Sequence, residues 1–130
     1  MLRSVMETLS TRVCEFRRDA DGFIYARMKE GARFELADAK ECVEATRNLA
    51  GARTSVLVDM RGVQSQSKEA RAYFNAPEIA KDLSAVALLV SSPVSRVIAN
   101  FFLGVRTQPV PTRLFDDEAS ARVWLRSGGA

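Results

Sequence analysis

Two short apolar runs constrain the fold of this chain more than anything else in it. Val56-Leu57-Val58, closed by Asp59-Met60, and Ala85–Val90 are hydrophobic at successive positions instead of alternating with polar residues. A strand with one wet face alternates, so runs of this kind suit strands covered on both faces, inside a sheet layered with helices. Neither run is a membrane segment. The longest apolar stretches, Ala85–Val90 and Phe101–Val105, fall far short of the ~20 residues a spanning helix needs, so no membrane span is expected. A chain of 130 residues buries roughly two-thirds of its unfolded surface, enough for one core but not two. One domain over residues 1–130 is expected, with an ordered core of about 11–126.

The segments around these runs fill in the order. Thr11–Arg18 alternates at Arg12, Cys14 and Phe16, Asp19-Ala20-Asp21-Gly22 offers turn chemistry, and Phe23–Lys29 alternates again. Two strands joined by so short a loop pair antiparallel. Leu36, Ala39, Cys42, Val43, Thr46, Leu49 and Ala50 recur at helical spacing, and Gly51 is a natural stop. Beyond the first buried run, Ser67 is placed to cap a short helix to Ala76, and Pro77 opens another over Glu78–Leu83. After the second, Ser92-Pro93 launches a helix to Gly104, whose core face takes Val94, Val97, Ile98, Phe101, Phe102 and Val105. Pro109-Val110-Pro111 is extended, Thr112–Phe115 is the last strand, and Asp116 or Asp117 caps a final helix through Leu125. Val123, Trp124 and Leu125 close the core, and Ser127–Ala130 reads as a frayed tail. The prediction is an α/β fold with a mixed open sheet of about five strands. An antiparallel N-terminal hairpin is followed by parallel βα units and flanking helices.

Composition narrows the chemistry. The chain has no histidine, which removes Ser-His-Asp and Cys-His catalytic sets, His-ligated metals and phosphohistidine relays. No catalytic residue, metal or cofactor is predicted, and the protein is read as a non-enzyme. Cys14 and Cys42 lack any CxxC spacing and read as small buried hydrophobes in a reducing cytoplasm. The opening Met1–Glu7 lacks the apolar stretch of a secretory signal, so a cytoplasmic location is expected. Lys and Arg total 19 against 16 Asp and Glu. The isoelectric point is about 9.2. Even so, Arg17-Arg18 is followed by Asp19 and Asp21, and Arg122 and Arg126 follow Asp116-Asp117-Glu118. With no concentrated basic face, no nucleic-acid partner is expected.

Three groups of residues stand out as candidate ligand or partner sites. Asp59, with Arg61 two positions on, ends the first buried strand at its carboxyl end, where open α/β sheets bind ligands. The plainer reading is a local pair between the two. Ser65 and Ser67 precede a helix, a position that welcomes a phosphate and that capping also favours. Arg96 and Asn100 lie one turn apart on the outer side of the helix Pro93–Gly104, with Leu103 beside them. That stripe suits a dimer seam or a ligand mouth.

Val56–Gly62 with Ser67–Arg71, Ala85–Val90 with Ser95–Gly104, and Pro111–Phe115 with Glu118-Ala119 and Trp124-Leu125 together resemble the SpoIIAA-like/STAS fold. More closely they resemble a bacterial group of small STAS/SEC14 domain-containing proteins. The resemblance spans roughly Arg12 to Arg126. It implies a partner-binding module; in STAS antagonists a phosphorylated serine directly after the strand-ending aspartate switches partner binding. Here Met60-Arg61-Gly62-Val63-Gln64 stands between Asp59 and Ser65. SEC14-type relatives imply a lipid held between sheet and helices. Two expectations follow. The first is a non-enzymatic regulatory or protein-interaction module that binds a protein partner or itself as a homodimer. The alternative is a small-molecule or lipid-binding domain with an apolar pocket under helix 93–104.

Overall fold

The two apolar runs pair with each other. The computed structural model describes residues 8–105 and 110–129, with the side chains of 101–105 outside that description. In it β5 (Thr54–Asp59) and β7 (Leu83–Leu89) run parallel, with Val56 opposite Val86 and Asp59 opposite Leu89. Residues 85–90 are buried throughout. β3 (Ile24–Met28) joins the free side of β5, and β8 (Thr112–Phe115) joins that of β7, both parallel. β2 (Cys14–Arg18) pairs antiparallel with β3, and β1 (Thr8–Ser10) with β2. The sheet order is β1-β2-β3-β5-β7-β8.

This is the expected mixed sheet with six strands in place of five, and a separate parallel pair joins β4 (Ala32–Phe34) to β6 (Val63–Gln66). β1, β4 and β6 escape a periodicity reading because three or four residues are too few to show one. The strand expected from Thr11 begins only at Cys14, because of Thr11 itself. Its Oγ1 accepts the N–H groups of Val13 and Cys14 at 3.3 and 3.1 Å and folds the chain into a turn there.

Helices lie on both faces. α1 (Leu36–Ala50), α2 (Lys68–Phe74) and α4 (Pro93–Val105) share a core with Phe16, Ile24, Val56 and Val86. α5 (Glu118–Arg126) covers the other face, against Tyr25, Leu57 and Leu89, with Trp124 5.6 Å from Phe115. Asp117, one of the two expected caps, accepts the Ser120 N–H at 2.7 Å. α3 spans only Pro77–Ala80, because Leu83 is already drawn into β7.

Three further expectations need correction. Among the described side chains of α4 the buried ones are Ser95, Ile98 and Ala99, whereas Val94 and Val97 are 45% and 55% exposed. Ser95 causes this rotation. Its buried Oγ accepts the N–H groups of Ser91 and Ser92 and donates to the Ser92 carbonyl, which fixes the helix start with Ser95 inward. The expected core positions Phe101, Phe102 and Val105 carry side chains outside the described residues. Val123 is likewise exposed, at 61%, since α5 turns Ala121, Trp124 and Leu125 toward the sheet. Finally, Gly128 and Gly129 are held rather than frayed. Gly128 takes a φ of +84°, its N–H donates to Leu125 O, and the Gly129 N–H donates to Trp124 O. That is the paired closure a glycine just past a helix permits.

Acidic and basic residues that neighbour one another in sequence find partners across the fold. Arg122 holds Asp19 through both Nη atoms at 3.0 Å, and Arg126 holds Asp21 at 3.0 Å, tying α5 to the β2–β3 turn.

Candidate functional site

Asp59 is 3% exposed, on the α5 side of the sheet. A bare carboxylate there is costly, and the chain supplies four donors. Arg61 reaches back with Nε to Oδ1 at 2.9 Å and Nη2 to Oδ2 at 2.8 Å, and its backbone N–H adds 3.1 Å to Oδ1. The Tyr25 hydroxyl donates to Oδ2 at 3.2 Å, and the Arg17 guanidinium stacks 4.2 Å above the Tyr25 ring. Burial pushes the Asp59 carboxyl up, but the Arg61 hydrogen bonds and charge outweigh it and leave the group below its ordinary range. Tyr25 is pushed up to about 12, first by burial and then by the Asp59 charge. The carboxylate's acceptor positions are thus taken by the protein's own donors, which is the local Asp59–Arg61 pair of the plainer reading.

Ser67 caps α2, its Oγ accepting the Ala70 N–H at 3.0 Å. Ser65 is placed elsewhere than expected. It lies exposed in β6 opposite Arg33, because the chain after Gly62 pairs with β4 before α2 begins. Arg96 and Asn100 are both exposed on α4, as expected, and the Leu103 side chain lies outside the described residues. The structure does not gather these groups into one site. Asp59 and Arg61 form one cluster, Ser65 and Ser67 follow it along β6, and Arg96 and Asn100 stand apart on α4.

The described residues do enclose an apolar cavity of about 130 Å³, on the opposite face of the sheet from the Asp59 side chain. Its floor is Phe16, Ala26, Met28, Val56, Val86 and Leu88 of the sheet. Its roof is Cys42, Val43 and Thr46 of α1, with Phe74 of α2 and Ile79 of α3. Among the described residues this cavity lies under α1, α2 and α3; the pocket expected under helix 93–104 falls partly on the side chains of 101–105, outside the described residues. Ser95 and Ala99 are small and fully buried, so α4 sits close on the sheet, whereas Ala26, Cys14 and Cys42 face one another across the gap under α1. The neighbouring Cys42 thiol, together with burial, raises the Cys14 thiol, whose Sγ donates to the Glu15 carbonyl at 4.0 Å. Charge reaches the lining only at Arg47 and Asp82, which meet at 2.7 Å with side chains 45% and 40% exposed. They mark the mouth. The sequence held no signal for this space, because a cavity depends on which small side chains face each other and not on any spacing along the chain.

Among the described residues no helix is long and apolar enough to cross a membrane. No curated protein matches the chain. An uncharacterized DUF3478-family protein of Shewanella loihica PV-4 with a SpoIIAA-like fold superposes with a TM-score of 0.63 at 16% identity, covering 96% of this chain and 98% of that one. A protein of unknown function from Arthrobacter sp. FB24 is 35% identical over 90% of this chain and 95% of its own, with a TM-score of 0.32. The family model described as "Domain of unknown function (DUF7793)" matches residues 16–128. From Phe16 in β2 to Gly128 just past α5, the chain therefore belongs to the DUF7793 family, and its fold is SpoIIAA-like.

Proposed function

We propose that this domain is a binding module for a small apolar molecule held in the cavity beneath α1, α2 and α3. The observation that carries the reading is the cavity itself. Protein interiors are close-packed, so an apolar space of about 130 Å³ among core residues leaves contacts unmade that an occupant would restore. A site that gives up such packing is accounted for if something fills it. An apolar cavity of about 150 Å³ takes up benzene, so the occupant is a ring-sized or short branched hydrocarbon body. Toluene is the probe. Titrated into the protein, it is expected to shift the methyl signals of Val56, Val86 and Leu88, to leave Leu57 on the other face unmoved, and to raise Tm. Ala26→Leu, which fills the floor, is expected to abolish these shifts. Methyl signals that stay put on toluene addition would end the reading.

A second reading, a regulatory module acting through a protein partner or a homodimer, is favoured by Val94 and Val97, exposed on α4 beside Arg96 and Asn100. On that reading Val97→Glu weakens self-association in sedimentation. A wild-type protein that stays monomeric at high concentration, and a Val97→Glu variant that captures the same partners, would remove it.

A further inference from the structure

We infer that the Arg47–Asp82 ion pair is a gate across the cavity mouth, and that it restricts the occupant to uncharged molecules. The inference rests on the cavity reading above and deepens it by naming what controls entry. Arg47 stands in the last turn of α1. Asp82 stands in the turn between α3 and β7, which is fixed from both sides: the Asp82 N–H donates to Ile79 O, and its carbonyl accepts the Thr54 N–H at 2.9 Å. The Nε–Oδ2 contact of 2.7 Å therefore joins the helix layer to the sheet layer at the place where the lining reaches solvent.

The geometry works in two ways. An ion pair with both partners nearly half-exposed is worth little, so thermal motion opens it readily and recloses it. Opening parts α1's last turn from the α3–β7 turn at the mouth, with no need to break the sheet or the core. The pair is also the only charge on the lining among the described residues, and each sign already has its partner. A carboxylate arriving at Arg47 meets Asp82, and an ammonium arriving at Asp82 meets Arg47. Deeper in, the Thr46 hydroxyl is spent on the Cys42 carbonyl at 3.0 Å, and the Cys14 thiol is directed to the Glu15 carbonyl at 4.0 Å. A charged head that passed the mouth would lose its water against Phe16, Val56 and Leu88 without replacement.

The test compares toluene, benzoate and benzylamine, of nearly equal body size, by exchange-resolved NMR on wild-type protein, Arg47→Gln and Asp82→Asn. In the wild type toluene binds, while benzoate and benzylamine do not. Both variants speed toluene exchange by roughly two- to five-fold, the factor set by losing an exposed ion pair, and 1 M salt does the same to the wild type. Toluene exchange that is unchanged by either variant and by salt overturns the gate while leaving the cavity reading intact. Benzoate binding tighter than toluene also overturns it, since Arg47 would then be a head-group anchor. Failure of toluene to bind the wild type and both variants removes the cavity reading itself, and the gate with it.

Discussion

The Tyr25 hydroxyl and the Arg61 fork converge on one carboxylate, and the Asp59 charge changes how both of them titrate. Burial and the Asp59 charge push Tyr25 up to about 12, so its folded-state value exceeds the unfolded one near ~10. The sign follows from linkage. The native state holds that proton more tightly, so Tyr25 contributes stability below pH ~10 and loses it as pH rises through about 12. Of the two tyrosines in the chain, one is expected to ionise near pH 12 in an ultraviolet absorbance titration. Asp59→Asn removes the charge next to it and is expected to move that transition downward. A transition that stays in place in Asp59→Asn would mean that burial and the Glu118 charge set it without Asp59. Half of this cluster was legible: Asp59 and Arg61 are two residues apart, and a local pair was the plainer reading. Tyr25 was not, because it lies 34 residues away and arrives only through the parallel pairing of β3 with β5.

Between elements, α5 is held to the sheet by Trp124, Ala121 and Leu125 and to the β2–β3 turn by Arg122. Asp19 is 9% exposed at its side chain and Arg122 19%, so removing one partner strands the other away from water. Arg122→Met is expected to cost about 2 kcal/mol in urea unfolding, and the double variant with Asp19→Asn less than the two single costs added. Additive costs would show that the Asp19–Arg122 contact adds nothing to the docking of α5. Gly62 offers a second check between elements. A Cβ there would stand 2.9 Å from Met28 O and 3.0 Å from Lys29 O, so Gly62→Ala should cost about 1–3 kcal/mol by the same measurement. The helices and the long strands were readable from periodicity. The rotation of α4 was not, because Val94, Val97 and Ile98 satisfy an apolar stripe on paper while the buried Ser95 hydroxyl decides which stripe turns inward.

Taken as a whole, the molecule ties three buried or nearly buried aspartates to arginines: Asp19 to Arg122, Asp38 to Arg12 and Asp59 to Arg61. For each, burial acts to raise the carboxyl and the arginine hydrogen bonds outweigh it, so all three lie below their ordinary value. A depressed folded-state value stabilises the fold above the unfolded value near ~4, and that stability is lost as pH falls through the lower, folded values. Urea unfolding should therefore be nearly flat from neutral pH down to about 5 and weaken steeply below about 4. In Asp59→Asn the slope below pH ~4 should be shallower than in the wild type, and an unchanged slope would place the acid sensitivity elsewhere.

By itself the sequence determined the layered α/β architecture and the parallel pairing of its two apolar runs. Hydrophobic periodicity is a local property, and an unalternating run must be covered on both sides wherever it lies. Tertiary structure alone decided which turn of α4 faces inward at Ser95, which donors reach Asp59, and that an apolar cavity lies beneath α1. Each of these depends on residues that meet from far apart in the chain, Ala26 with Cys42 or Arg47 with Asp82, where shape and size settle the contact and spacing along the chain carries no information.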